Sequence, residues 1–301
     1  MLQHGCKVLK TKAGVPSTDR MSGLSSNDFW NEFNLVAGEK NLAALNFVPS
    51  PDSVFFFDEI DSTNSFLLAR ANESDNLDEM NLSMCASETQ TQGRGRLGRK
   101  FYSPKNTGIY FSFTIVEENQ ILDPAVYTIA SVVGVCRAVE KLCSVSCGIK
   151  WVNDVYVAGK KICGILAEGI VDCKKKLLRG CVVGIGINIL TSSEFPQDLM
   201  SRAGGICDGR IDASVSREKL LANVLGEIYS ILANKENVLD EYRNKSIILG
   251  TKITVTPVVG DDTTSYEAEA VNVCEDGGLL VRLSDGTEKK LRAGEVSFHA
   301  Q

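Results

Sequence analysis

Histidine is nearly absent from this chain: only His4 and His299 occur among 301 residues. Neither is placed to complete a Ser-His-Asp or Cys-His arrangement, so nucleophilic catalysis of that kind is not expected. The ten cysteines do not suggest a zinc site, because Cys143 and Cys147 lack the paired spacing and histidine partners are missing. Cys136, Cys163, Cys181 and Cys274 lie among apolar neighbours, where a free thiol acts as a small hydrophobe. Excess positive charge is also lacking. Lys and Arg number 32 against 38 Asp and Glu, a net charge of -6, so nucleic acid is not the default partner and DNA is not expected. No signal-peptide pattern opens the chain and no apolar run is long enough to span a bilayer, which points to reduced thiols in a cytoplasmic protein.

What is present suits a globular domain, with 44% hydrophobic and 23% charged residues. Residues 1–25 are polar and aperiodic. Ser26 or Asn27 then offers an N-cap for a helix ending near Gly38. Residues 54–60 read as a strand, followed by "DSTNSFLLARA", where Asp61 or Ser62 caps a helix. A strand at 82–87 leads into a Gly/Arg segment, and another follows it at 109–116. The strongest helical pattern starts at Asp123 with Pro124 in its first turn. Four strand-sized pieces, "GIKWV", "DVYV", "KICGILAEGIV" and "LRGCVVGIGINIL", precede a helix from Ser216 with Leu220, Leu221, Val224, Leu225 and Ile228 on one face. Beyond Gly250 the chain changes to short strands divided by "GDDTT", "EDGG" and "SDGT", turn signals of a small barrel.

The densest chemistry lies in "ETQTQGRGRLGRKFYSP", residues 88–104. Gly93, Gly95 and Gly98 alternate with Arg94, Arg96 and Arg99. A disordered arginine-glycine arm would be longer and detached from strands, and a dinucleotide fingerprint would open a helix after its last glycine. An ordered anion-binding loop and a solvated basic hairpin remain. In "IKWVNDVYVAGKKICGILAEG", Asn153 and Asp154 sit at a strand junction. Lys160 suits a solvated turn, whereas alternation along the next strand can point Lys161 inward, where it needs an anion. "DSTN" at 61–64 suits a helix cap or a polar ligand site. "GIGIN" at 184–188 suits either a buried strand or close approach to a ligand.

The ordered series DSTN, ETQTQGRGRLGRKFYSP, KWVND, GKKICGILAE and GIGIN, with a small C-terminal unit, resembles the biotin protein ligases over about residues 53–298. The resemblance implies an α/β (α+β) fold: a mixed sheet with flanking helices like that of class II aminoacyl-tRNA synthetases, plus a C-terminal SH3-like β-barrel. The implied division is a 1–52 extension with one short helix, a 53–248 biotin/ATP-binding domain and a 249–301 barrel. The implied activity joins biotin to ATP, with Mg²⁺, as biotinyl-5′-AMP and then biotinylates one lysine of a carboxyl carrier domain.

By the same resemblance, Ser62, Thr63 and Asn64 lie at the biotin head group, with Gln90 and Thr91 near the ureido ring. Gly93, Arg94, Gly95, Arg96 and Leu97 fold over biotin, and Lys161 reaches the acyl oxygen. Arg94, Arg96, Arg99, Phe101, Asn153 and Asn188 surround the nucleotide. Arg96, Lys161 and Asp154 are the implied catalytic residues, Asp154 steering or deprotonating the incoming amine, and no protein-bound metal is implied. Val152 and Phe101 depart from the family's frequent proline and tryptophan. No pair of helices suited to a DNA-binding domain precedes residue 53, so an enzyme without repressor function is expected. A homodimer on a self-pairing strand is allowed, although no such strand is identifiable. A lipoate or octanoate enzyme of the same superfamily, or a non-catalytic nucleic-acid module, is the alternative.

Overall fold

A computed structural model describes residues 23–118, 123–172, 174–191, 195–207, 215–257 and 264–297. The first helix, α1 (Ser26–Glu39), is capped by Ser25, whose Oγ accepts from the Asp28 N–H at 3.2 Å. The cap thus falls one residue before the expected Ser26 or Asn27. Three suitable residues stand in a row, and Ser25 is the one with extended backbone. Strand β1 (Val54–Phe57) runs to α2 (Thr63–Glu73), which Ser62 caps by accepting from the Ser65 N–H at 3.4 Å. Then come β2 (Met84–Ser87), the Gly/Arg loop and β3 (Gly108–Val116). Asp123 accepts from the Ala125 N–H at 2.8 Å at the start of α3 (Ala125–Cys143), with Pro124 just before the first turn.

A meander follows: β4 (Gly148–Lys150), β5 (Asp154–Val157), β6 (Lys160–Asp172) and β7 (Leu177–Asn188). After α4 (Gln197–Met200) come α5 (Arg217–Ala233) and α6 (Leu239–Asn244). The strands form one seven-stranded mixed sheet in the order β1-β2-β3-β7-β6-β5-β4. Among the described strands of this sheet, only β1 and β2 pair in parallel.

Alternation along the strands builds two cores. On β2, Met84 and Ala86 enter the larger core beneath α1, α3 and α5, while Cys85 enters a smaller one beneath α2 with Phe55, Leu67 and Val182. The five apolar residues expected on one face of α5 are all buried, and so are most of its other residues. The reason is its position between α1 and α3, which a single-stripe reading does not anticipate.

The C-terminal residues form a five-stranded antiparallel sheet in the order β11-β10-β9-β8-β12. Its strands are β8 (Lys252–Thr256), β9 (Tyr266–Val273), β10 (Leu279–Arg282), β11 (Glu288–Leu291) and β12 (Glu295–Ser297). Among the described residues β11 and β12 do not pair with each other. The inner residues of this sheet, including Ile253, Val255, Ala270, Leu279 and Val281, belong to the larger core. The Trp151 indole N–H donates to the Gly277 carbonyl at 2.8 Å, and Arg243 donates to the Val273 carbonyl. Two of the expected turns, at "EDGG" and "SDGT", lie where predicted; "GDDTT" falls almost wholly outside the described residues. Among the described residues no helix is long and apolar enough to cross a membrane.

Candidate active site

A cavity of about 630 Å³ opens where α2, the Gly/Arg loop, strands β4 to β7 and the end of the C-terminal sheet meet. One end is a buried polar network of mostly neutral groups. Ser62, Thr63 and Asn64 are 1%, 3% and 4% exposed. Gln90 Oε1 accepts from the Thr63 N–H at 3.0 Å and lies 3.2 Å from its hydroxyl, while Gln90 Nε2 donates to Ser103 Oγ at 2.9 Å. The Thr63 hydroxyl also lies 2.7 Å from Ser112 Oγ, and Ser112 donates to Asn64 Oδ1 at 2.5 Å. Asn64 Nδ2 donates to Glu168 Oε2 at 2.8 Å and to the Leu166 carbonyl at 3.3 Å. Buried polar groups satisfied in this manner have fixed orientations, as a site for a polar head group requires.

The Gly/Arg loop is a hairpin closed on itself. Gly95 N–H donates to the Arg99 carbonyl at 2.7 Å and Phe101 N–H to the Gly93 carbonyl at 2.9 Å. A side chain at Gly93 would meet the Phe101 carbonyl at 2.3 Å, so this glycine serves the loop's own closure. The same holds on β7. A Cβ at Gly184 would lie 2.0 Å from Asn64 Oδ1, and one at Gly186 would lie 2.3 Å from the Phe101 ring. The close approach anticipated at "GIGIN" is therefore made by the protein's own side chains.

Cations crowd the other end, and carboxylates hold several of them. Arg94 meets Glu168 at 2.6 Å where this end borders the polar network, and Lys161 meets Asp154 at 2.7 Å. Arg99 donates through both Nη atoms to Glu295. Arg96 donates to Asn153 Oδ1 at 3.1 Å and to the Gly294 carbonyl at 3.3 Å. Burial lowers the Arg96 guanidinium from its ordinary value, against the opposing pull of Asp154. Burial likewise lowers the Lys150 ammonium, again opposed by Asp154. The Tyr156 phenol, also on the wall, is pushed up to about 12 by burial and then by Asp154.

Of the residues singled out in the sequence, Ser62, Thr63, Asn64, Gln90, Arg94, Gly95, Arg96, Leu97, Arg99, Phe101, Asn153, Asp154 and Lys161 line this one cavity. Thr91, Gly93 and Asn188 do not. The Thr91 N–H donates to Ile60, and Asn188 lies past the cavity at the end of β7, its carbonyl accepting from the Ile206 N–H. Sequence reasoning missed Lys150, Tyr156, Glu168, Arg202 and Glu295. Glu168 left a trace as an acid inside an otherwise apolar strand. Glu295 left none, because its place depends on pairing of β12 with β8.

The model of the Biotin/lipoate A/B protein ligase family matches residues 56–188. The chain is 26% identical over 219 residues to the bifunctional ligase/repressor BirA of Bacillus spizizenii, covering 68% of this chain and 63% of that protein. It is 28% identical over 247 residues to the biotin–[acetyl-CoA-carboxylase] ligase of Mycobacterium tuberculosis, covering 77% and 86%. The biotin protein ligase of Aquifex aeolicus, solved with biotin and ATP, superposes with a TM-score of 0.64 at 27% identity, over 81% of this chain and 97% of that one. The chain spans less than two thirds of the length of the Bacillus protein.

Proposed function

We propose that this chain activates biotin with ATP and passes the biotinyl group to a lysine of a biotin carboxyl carrier domain. The observation that carries this reading is the two-ended cavity, a fixed polar network facing a cluster of cations, in a chain whose residues 56–188 match the biotin/lipoate ligase family. In the first step the biotin carboxylate oxygen forms a bond to the α-phosphorus. The bond from that phosphorus to the bridging oxygen breaks, and pyrophosphate leaves. Like charges meet in this step, so cations must neutralise them before in-line attack. Arg96 and Arg99 fit that task, and Lys161 fits the acyl oxygen on which charge grows. Asp154, paired with Lys161, fixes its direction.

In the second step the carrier's neutral lysine amine attacks the acyl carbon, the carbon–oxygen bond to phosphate breaks, AMP leaves and the amine loses a proton. Asp154 steers that amine. The loop keeps water from the mixed anhydride meanwhile. Among the described residues no group of three His, Cys, Asp or Glu side chains is arranged to hold a metal. Mg²⁺ is read as part of the substrate, which would arrive on the triphosphate and would neutralise phosphate charge there. We read residues 53–248 as the catalytic unit, like class II aminoacyl-tRNA synthetases in its mixed sheet, and 249–301 as an SH3-like barrel. The five antiparallel strands support the latter. A homodimer and a cytoplasmic location complete the proposal.

The test is mass spectrometry of the protein incubated with Mg²⁺, ATP and one acid at a time. Biotinyl-AMP with biotin and no adenylate with lipoate or octanoate is the expected result. The reverse pattern would keep the fold and overturn the substrate.

A further inference from the structure

Glu168, on β6, ties together three parts of the site that are distant in sequence. Its Oε2 accepts from Asn64 Nδ2 on α2 at 2.8 Å, and its Oε1 accepts from Arg94 Nη2 of the Gly/Arg loop at 2.6 Å. Arg94 Nη1 also reaches Ser65 Oγ on α2 at 3.4 Å. The guanidinium is therefore turned toward α2 and the sheet. Arg96, by contrast, reaches toward β5 and the C-terminal sheet through Asn153 and Gly294. The loop has reason to need such a fastening. Its glycines make ordering costly in conformational entropy, and Leu97 and Gly98 hold positive φ angles of 59° and 71°. Glu168 is the better shielded partner, its side chain 20% exposed against 44% for Arg94.

We propose that Glu168 is the docking post of the Gly/Arg loop. Its carboxylate, oriented by the Asn64 amide, captures Arg94 and holds the loop shut over the polar end of the cavity. Glu168 is thus a positioning residue for retention of the acyl-adenylate, and Arg94 is a fastener instead of a phosphate ligand. Because Asn64 belongs to the head-group network, a ligand that stiffens Asn64 also stiffens the post and favours closure. This inference rests on the ligase reading above.

The test compares release of radiolabelled biotinyl-AMP from preloaded wild-type protein, Glu168→Gln, Arg94→Met and the double variant, with the KM for ATP measured alongside. Each single change should speed release roughly five-fold, the scale of a half-exposed ion pair, and leave the ATP KM within about two-fold. The double variant should release no faster than either single one, because both remove the same contact. Release from Glu168→Gln within two-fold of wild type, or multiplied effects in the double variant, would overturn the docking post while leaving the ligase reading intact. If Glu168→Gln does not fold, Arg94→Met and Arg94→Lys decide alone: rapid release from the first and near-normal retention in the second is expected, and equal release from both overturns the proposal. Failure of wild-type protein to form any biotinyl-AMP would overturn both readings.

Discussion

The two ends of the cavity are built on opposite plans. At the polar end, Thr63, Asn64, Gln90, Ser103 and Ser112 satisfy one another in a buried network on the edges of rigid elements. At the charged end, Asp154 and Glu295 each hold a cation of the wall through contacts that remain partly open to solvent. The first arrangement is fixed before any ligand arrives, which favours selection of one head group. The second keeps clustered cations from repelling one another, and its partly exposed pairs suit the proposed exchange of carboxylate for phosphate. The proposed reaction, in which the site first chooses an acid and then handles a moving charge, would gain from having both.

This contrast can be broken at either end. The largest effect should come from Lys161→Met, which removes the cation proposed to meet the acyl oxygen. Single-turnover adenylation should fall by about 10²–10³-fold, the usual scale for one group stabilising developing charge. A rate within three-fold of wild type would remove Lys161 from the chemistry. Next comes Gly184→Ala at the fixed end, where the new Cβ would collide with Asn64 Oδ1. Forcing apart a packed network costs about 1–3 kcal/mol, so the biotin KM should rise on the order of ten-fold with little change in the ATP KM. Equal increases in both constants would mean that the two ends are not independent.

A third prediction uses pH. Burial lowers the Lys150 ammonium, so on the alkaline side it loses its charge at a lower pH than an ordinary lysine. Lys150 lines the cavity, and we propose that it assists the triphosphate; that help is complete below the lowered value and is lost as pH rises through it. The ATP KM should therefore climb toward alkaline pH, and Lys150→Arg should flatten the climb; a wild-type profile unchanged by that substitution would exclude Lys150. The smallest effect is expected from Arg99→Ala. Its side chain is 62% exposed and its partner Glu295 32%, so screening keeps the loss to a few-fold in ATP KM.

Much of this arrangement was legible in the sequence, for local reasons. Ser62 and Ser216 cap the helices that they precede, and "EDGG" and "SDGT" turn the chain where expected. The spacing of the Gly/Arg and Lys-Trp-Val-Asn-Asp segments placed most of the cavity wall. What was not legible depends on contacts made at long range. Strand β12 is three residues long, too short for any periodic signal, and exists as a strand through its pairing with β8. Glu295 reaches Arg99 across 196 positions. Asn188 was implicated by its motif, yet β7 carries it past the end of the cavity that Gly184 and Gly186 line. The glycines of "GIGIN" were noticed for a ligand's sake, and their room is taken by Asn64 and Phe101.

The most direct test of the whole account is the intact mass of a biotin carboxyl carrier domain after incubation with this protein, biotin, ATP and Mg²⁺. One biotinyl increment is expected, abolished when the carrier's target lysine is replaced by arginine. An unmodified carrier, in a reaction where biotinyl-AMP is formed and retained, would contradict the transfer step and with it the central claim.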